Sequence, residues 1–237
     1  MENKNFAIII ASACIGVCIV ISSIIFAFSI SSLSENQRTV QVKGLSEREV
    51  AANAVIWPIV YKDAGNDLTS LYGSIDSKNL IIKNFLIENG ISESEISIAA
   101  PNVTDRSAEM YGPEKAAFRF YASAILTVST DKVDLVRSLI TKISSIGKNN
   151  ISFSSDEYQN QIEYKYTKLN DIKNEMVEEA TKNARATAQK FADDSESSLG
   201  KIKTASQGQF SINNRDNYTP YIKIVRVVSS IEYFIKD

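Results

Sequence analysis

An uncharged stretch near the N-terminus constrains the fold of this chain more than any other feature of its sequence. No residue between Phe6 and Ser34 carries a charge, and the run AIIIASACIGVCIVISSIIFAFSI inside it is almost entirely apolar. A helix crosses a bilayer with about 20 apolar residues, whereas the apolar part of a cleaved signal peptide has only about 7 to 15. The length therefore predicts a retained transmembrane anchor at residues 6–33, after a short tail at residues 1–5.

Two alternatives remain open for this segment. Ala27-Phe28-Ser29 is a weak site at which a signal peptidase could cut, and Ala11-Ser12-Ala13-Cys14 resembles the cleavage box of a lipoprotein. The flanking positive charges do not decide which side of the membrane the body occupies, because long domains cross largely regardless of charge. Those charges are Lys4 before the segment and Arg38, Lys43 and Arg48 after it.

The chain contains no histidine, and its two cysteines, Cys14 and Cys18, both lie inside the predicted anchor. Histidine-dependent nucleophilic sites and histidine-ligated zinc or haem are thus excluded for the whole chain. Thiol nucleophiles and cysteine-ligated metals are excluded for the body. We accordingly predict no metal, no cofactor and no enzymatic activity. The net charge of −2, from 26 basic and 28 acidic residues, also disfavours nucleic acid as a partner.

The body of the chain, residues 39–237, follows a polar connector at residues 34–38 and alternates between strand and helix patterns. Apolar and polar side chains alternate from Phe118 to Ser129, as in a half-buried strand. An apolar stripe from Val133 to Ile146 predicts a helix capped by Asp131. The order of elements predicts an α+β fold of mixed or antiparallel sheets with helices packed on one face. One domain and two intertwined subdomains both fit this length.

Local details of the other elements are also predicted. The strand region from Thr39 to Tyr61 is expected to bend at Gly44 and Pro58, and the helix from Leu68 to Asn89 to break near Gly73. The packing face expected for a long helix from about Leu169 to Phe191 consists of Ile172, Met176, Ala180, Ala184, Thr187 and Phe191.

Carboxylate pairs and Ser-x-x-Lys spacings are the remaining candidates for catalysis. Adjacent acids occur at Asp156-Glu157, Glu178-Glu179 and Asp193-Asp194, but neighbours on a helix or strand point in different directions, so we interpret them as solvated surface. The spacings Ser145–Lys148 and Ser198–Lys201 resemble those of serine–lysine acyl enzymes. Both straddle a glycine at a helix end, so a carboxylate or Ser-Lys hydrolase is only a third hypothesis for the function.

A binding edge is a further candidate. A lone tryptophan is often a contact residue, and proline is confined to strand edges and bulges, so Trp57 and Pro58 could mark such an edge. A core tryptophan beside a strand kink is the competing interpretation. Tyr111 lies in a segment from Pro101 to Pro113 that the sequence predicts as a polar loop. Trp57, Pro58 and Tyr111 together form the candidate interaction surface, beside a cleft for a small ligand or peptide.

A family resemblance appears in the long helix and in the strands at either end of the body. The run from Glu178 to Ala192 is alanine-rich with an Ala-Arg-x-x-Ala pattern, and Leu199-Gly200-Lys201-Ile202 follows it. The body opens with Val40-Gln-Val42-Lys-Gly44. In this order the motifs resemble the SIMPL domain family, from about Thr39 to the C-terminus. One departure is Ala52-Asn53, where many members have a Pro-Asp pair, so a role tied to that aspartate does not carry over.

The resemblance implies a bacterial envelope protein, exported or membrane-anchored, with an α+β fold, sometimes assembling into large rings and loosely linked to stress resistance. No catalytic residues are established for the family, so none carries over. The leading hypothesis is a non-enzymatic scaffold in the bacterial inner membrane, single-pass with its body facing the periplasm, which self-associates through sheet edges or helix faces. The alternative is an envelope binding protein for a small ligand or peptide.

Overall fold

The computed structural model of the chain describes residues 15–27, 38–108, 117–154 and 160–236. The α-helices in these ranges are α1 (residues 15–27), α2 (Leu68–Glu88), α3 (Val133–Lys142) and α4 (Leu169–Asp194), and short 3₁₀ helices lie at Glu93–Glu95, Arg106–Ala108 and Ile143–Asn149. The strands are β1 (Thr39–Ala51), β2 (Ala54–Gly65), β3 (Ile96–Ile98), β4 (Asn102–Asp105), β5 (Phe120–Thr130), β6 (Ser152–Ser154), β7 (Glu163–Lys165), β8 (Ser198–Gln207), β9 (Ser211–Asn214) and β10 (Ile222–Lys236).

The strands form two sheets. One has the order β1-β10-β8, with β9 also paired to β10, and the other has the order β3-β5-β2-β6, with β4 on β5 and β7 on β2. The pairing of β10 with β8 and all five pairings of the second sheet are antiparallel. The α+β fold with antiparallel sheets that the sequence predicts is confirmed.

The chain divides into two compact units that alternate along the sequence. The first consists of Met1–Glu47, Ile172–Ser211 and Arg226–Asp237, and the second of Arg48–Asp171 and Ile212–Val225.

In the first unit, α4 packs on β1 and β10 through a row of small side chains. Four alanines at four-residue intervals are fully buried, because that spacing keeps them on one helix face. They are Ala180, Ala184, Ala188 and Ala192. Small side chains let the helix backbone approach Gly44 of β1 closely, so that a Cβ there would lie 2.5 Å from the backbone nitrogen of Ala184. Gly44 is therefore a helix-contact position within an unbroken strand.

The packing face predicted for α4 is partly wrong. Phe191 is 55% exposed and Thr187 is exposed, while Ala188 and Ala192 take the buried positions. The reason is the close approach of the helix to the sheet, which the smallest side chains permit and a phenylalanine would prevent.

In the second unit, α2 and α3 pack on the sheet whose central strands are β2 and β5. These two strands pair along their whole shared length, from Val55 opposite Thr130 to Gly65 opposite Phe120. The core includes large side chains that are almost wholly buried, among them Val55, Tyr61, Ile75, Ile82, Leu86, Leu126, Val128 and Leu139.

The predicted bend at Pro58 and the predicted helix break at Gly73 are wrong. The chain instead turns at Ala52-Asn53, between β1 and β2. Pro58 is tolerated because β6 pairs only with Val60–Lys62 and β7 only with Ala54–Ile56, so no described strand pairs with Pro58 on that side. Helix α2 continues through Gly73, since a helix interior accepts a glycine at a cost of about 1 kcal/mol.

Two further boundaries differ from the prediction. The segment predicted as a polar loop contains β4, which is paired with β5 and is too short for a visible alternation. The N-cap of α3 is Lys132, without a side-chain cap, rather than Asp131. The hydroxyl of Thr130 accepts a hydrogen bond from the backbone nitrogen of Lys132 at 3.1 Å, so the first turn is held from the end of β5.

The described part of the predicted anchor is α1, which is exposed along its length. Residues 6–14 and 28–33 of that prediction lie outside the described ranges. Within those ranges, no helix has the length and apolar character needed to cross a membrane.

Candidate functional site

Helix α2 is capped at its start, ends at a glycine, and packs on the second sheet along one face. The Asp67 side chain caps it by accepting a hydrogen bond from the backbone nitrogen of Ser70 at 2.8 Å. Gly90 follows the last turn with a φ of 97°, a left-handed value that favours glycine. The inner face is buried through Leu71, Ile75, Ile82 and Leu86. The opposite face is therefore held in a defined orientation toward solvent.

That opposite face exposes large apolar side chains. Leu80 is 58% exposed and Ile87 is 40% exposed, whereas the earlier positions on the same face are small and exposed, namely Thr69, Gly73 and Ser77. Among the described residues, nothing lies within 4 Å of the place where a Gly73 Cβ would stand. Steps of three and four residues keep these positions on one face of the helix.

We define the α2 outer face as Thr69, Gly73, Ser77, Leu80, Asn84 and Ile87. The Ser77 hydroxyl donates to the Gly73 carbonyl oxygen at 2.9 Å, so covering this face would not leave that donor without a partner. Leu68 is also 42% exposed, but at 3.6 residues per turn it projects about a third of a turn away from the face. The side chains of the α2 outer face are thus small in its first half and larger and mostly apolar in its second half.

Trp57 and Pro58, predicted as part of a binding edge, lie in β2 beside a cleft. Trp57 is 5% exposed and Pro58 is half-buried. The cleft has a volume of about 260 Å³, and Ser154 and Asn160 are its polar lining residues. Its apolar lining comes from Trp57, Pro58, Ile59, Val60, Ile140, Ile143, Phe153 and Ile162. We call it the Trp57 cleft.

The opposite wall of the Trp57 cleft differs from the one that the sequence suggested. Its lining comes from α3, the 3₁₀ helix after it, and the region of β6 and β7, and none of residues 101–108 reaches it. Tyr111, the third predicted surface residue, lies outside the described residues.

The structure does not bring the sequence-predicted catalytic pairs together into clefts. Ser145 and Lys148 are exposed on a 3₁₀ helix, and the Ser198 hydroxyl donates to the carbonyl oxygen of Lys236 at 3.2 Å. Glu178 pairs with Lys182 at 2.6 Å on the surface of α4. Asp156-Glu157 lies outside the described residues.

One cluster that sequence reasoning missed contains a serine, a lysine and a carboxylate. The Ser74 hydroxyl and Lys78 Nζ both donate to Asp63 Oδ2, at 2.7 and 2.6 Å. Residues four apart share a helix face, which brings both donors over the end of β2. Burial alone would raise the pKa of Asp63, but the hydrogen bonds from Lys78 and Ser74 outweigh it, so the pKa lies below its usual value.

This arrangement does not suit nucleophilic catalysis. A lysine must be neutral to accept a proton from serine, whereas Lys78 is bonded to the Asp63 carboxylate as an ammonium. The Trp57 cleft does not extend to these residues. Asp63, Ser74 and Lys78 therefore hold α2 against β2. The Ser-x-x-x-Lys spacing was visible in the sequence, but the position of Asp63 depends on the packing of a strand against a helix.

Comparison with known proteins places the body of the chain in one family. The family named SIMPL, described as a protein of unknown function (DUF541), matches residues 40–226. This range includes the α2 outer face and the Trp57 cleft. No curated protein matches the chain.

Proposed function

Since the chain belongs to the SIMPL family, we propose that it is a non-enzymatic, membrane-anchored module that self-associates through the α2 outer face. One observation supports this most strongly: Leu80 and Ile87 are exposed on a helix whose preceding turns expose small residues on the same side. Removing such aliphatic surface from water is favourable. The partner we infer is a second copy of the chain, because the face is complementary to itself.

An antiparallel pair of α2 helices sets the small half of one face against the large half of the other. A two-fold axis midway between Ser77 and Leu80 places Ser77 opposite the partner's Leu80. The same axis places Gly73 opposite the partner's Asn84 and Thr69 close to the partner's Ile87. Each contact then occurs twice, as in any closed two-fold interface, and each large side chain meets a small one, as close helix packing requires.

The expected dimer is weak in solution. A helix of 21 residues is about 30 Å long, and one such helix pair buries less than the roughly 1,200–2,000 Å² of a stable interface. Anchoring two copies in one membrane would raise their effective concentration, and a weak contact would then suffice. Membrane attachment and self-association therefore support one another in this proposal.

The anchor is supported by the uncharged run from Phe6 to Ser34, which is long enough for a single-pass helix. We place the body on the periplasmic side of a bacterial inner membrane, with a role in envelope integrity or stress resistance. Alkaline phosphatase fused after the C-terminus is active only in the periplasm. An active fusion that stays with washed membranes is expected, and an inactive or freely soluble fusion would contradict this part of the proposal.

The mass of the body tests self-association. A chain beginning at Ser34 is examined by size exclusion with light scattering, from about 10 µM to about 1 mM, the range in which weak interfaces associate. The mean mass is expected to rise with concentration from one chain toward two. A body that stays strictly monomeric at the highest concentration would contradict the proposal.

A second candidate function, binding of a small apolar ligand, is favoured by the Trp57 cleft. Its volume of about 260 Å³ is close to the lower end of ligand pockets, roughly 300 Å³. Trp57 is the only tryptophan, so its fluorescence should change saturably when hexanol is added. Replacing Ile143 by phenylalanine narrows the cleft and is expected to remove that change. A wild-type chain without a saturable change would exclude this function for such ligands.

A further inference from the structure

Lys223, near the start of β10, is a buried cation without a matching anion. It is 8% exposed, and no carboxylate among the described residues lies within ion-pair distance of its Nζ. Its single hydrogen bond within the described part of the chain goes to the Asn214 side-chain oxygen. An ammonium has three N–H donors, so two are left. Burial lowers the pKa of this amine, and nearby Glu163 offsets part of that effect.

The β9–β10 hairpin sets the position of this lysine. The backbone nitrogen of Arg215 donates to the carbonyl oxygen of Ile222 at 2.9 Å, which makes Asn214 and Lys223 cross-strand neighbours. The loop between the strands is held by Asp216, whose side chain accepts hydrogen bonds from the backbone nitrogen of Tyr218 at 2.7 Å and from Arg215 Nε at 3.1 Å. The amine is thus presented from a rigid hairpin.

The segment that ends at Thr167 faces the hairpin, and Asn53 in the turn between β1 and β2 holds it in place through hydrogen bonds. The Asn53 side chain accepts a hydrogen bond from the backbone nitrogen of Thr167 at 2.7 Å and donates one to the Thr167 hydroxyl at 2.8 Å. Tyr164 packs edge-on against Tyr221, with 6.1 Å between ring centroids. Asn53 therefore helps to shape the wall opposite Lys223. Together with Ala52 it stands where many family members have a Pro-Asp pair.

Lys223 lies on the wall shared by two adjoining clefts of about 290 and 430 Å³. We call them together the Lys223 cleft. Both are lined by Glu163, Tyr164, Asn214 and Lys223. The first is completed by Gln161, Ile162 and Pro220, and the second by Lys165, Tyr166, Thr167 and Ile212.

The charges that line the Lys223 cleft leave one cation available. Glu163 Oε2 lies 3.2 Å from Lys165 Nζ, so Lys165 offsets the charge of Glu163 and only part of that charge acts on Lys223. The Thr167 oxygen accepts a hydrogen bond from Asn53, which leaves its O–H free to donate, and Tyr166 also lines this cleft. The site therefore offers an ammonium that no described carboxylate pairs with directly, flanked by neutral donors, which suits an anion.

We propose that the Lys223 cleft binds a small organic anion, a molecule that carries a carboxylate or phosphate group. The charged oxygens of the ligand accept hydrogen bonds from the two remaining N–H donors of Lys223. A lysine acts as a point charge and pairs with either kind of group. The cleft volumes are in the lower part of the range for small-molecule sites, so a metabolite fits better than a polymer.

Calorimetric titration of the full chain in detergent tests this site, with inorganic phosphate, acetate and benzoate as probes. Saturable binding of at least one probe is expected. Removing the charged partner in Lys223→Met should weaken that binding about tenfold or more. Lys190→Met serves as the control and should change the affinity by less than about threefold, since Lys190 is exposed on α4 and lines neither cleft. The probe that binds distinguishes a carboxylate ligand from a phosphate ligand.

Three results would overturn the proposal: no saturable binding of any probe, wild-type affinity in Lys223→Met, or an equal loss in Lys190→Met. Acetylation of amines followed by mass spectrometry gives a second test that needs no variant. The bound probe should slow the labelling of Lys223 about fivefold or more, because it occupies the amine, and should leave exposed Lys190 unchanged. Equal labelling of Lys223 with and without the probe would also overturn it.

Discussion

Replacing Gly44 by alanine is expected to lower the free energy of unfolding by about 3 kcal/mol, the upper end for an overpacked core. The added Cβ would lie 2.5 Å from the backbone nitrogen of Ala184, 2.9 Å from its Cβ, and closer still to the carbonyl oxygen of Ala180. Helix backbone and Cβ atoms have no rotamer that avoids the contact. The helix must move off β1 and lose part of its buried alanine row.

Urea unfolding of the chain beginning at Ser34 measures this effect. Gly147→Ala is the matched control, because nothing among the described residues lies within 4 Å of the Cβ it would add. It should change the free energy of unfolding by no more than about 0.5 kcal/mol. If Gly44→Ala unfolds at the same urea concentration as the wild type, then α4 does not pack on β1 as closely as described.

Replacing Leu80 by glutamate is expected to weaken self-association about 100-fold or more. The substitution removes an apolar contact twice in a two-fold dimer and brings two like charges close to the axis, effects that together amount to about 3 kcal/mol. Leu80 is 58% exposed, so the fold itself should be stable without it. Sedimentation equilibrium of the chain beginning at Ser34 measures the change.

Leu68→Glu provides the control for this substitution. Leu68 is an exposed leucine at the start of the same helix, but it projects away from the α2 outer face. A glutamate in the first turn is also favourable for a helix. The dimer should therefore persist in Leu68→Glu. Equal loss of association in both variants, or none in Leu80→Glu, would show that this face is not the interface.

The elements predicted correctly are those whose buried face can be read from the pattern of apolar and polar residues in that segment alone. The alternation in β5 and the apolar stripe of α3 each mark one buried face without reference to the rest of the fold. The face of α4 was partly mispredicted because hydrophobicity favours Phe191 over Ala188 and Ala192. The distance between α4 and β1 at Gly44 decides which side chains of the helix are buried. The sequence pattern of the helix does not reveal that distance.

The candidate surfaces depend more strongly on tertiary packing. The sequence predicts helix α2 but does not show which of its apolar residues meet β2 and β5. The exposure of Leu80 and Ile87 follows only from the packing of the helix on the sheet. For Lys223 a signal was present, because it shares the two-residue alternation of the buried residues Val225 and Val227 in β10. A lysine at a buried position of a strand pattern is worth examining as a site.

Disulfide formation by a single cysteine at position 77 tests self-association through the α2 outer face most directly. A chain beginning at Ser34 has no cysteine of its own. About the inferred two-fold axis, the two copies of residue 77 are offset by only about 5 Å along the helices, whereas the two copies of residue 69 are about 28 Å apart. A disulfide requires Cα atoms within about 7 Å, so the small motions of a weak dimer bring only the residue-77 pair into reach. Rapid covalent dimerisation of Ser77→Cys, with little or none of Thr69→Cys, is the expected result, and equal rates or no dimer in either variant would contradict it.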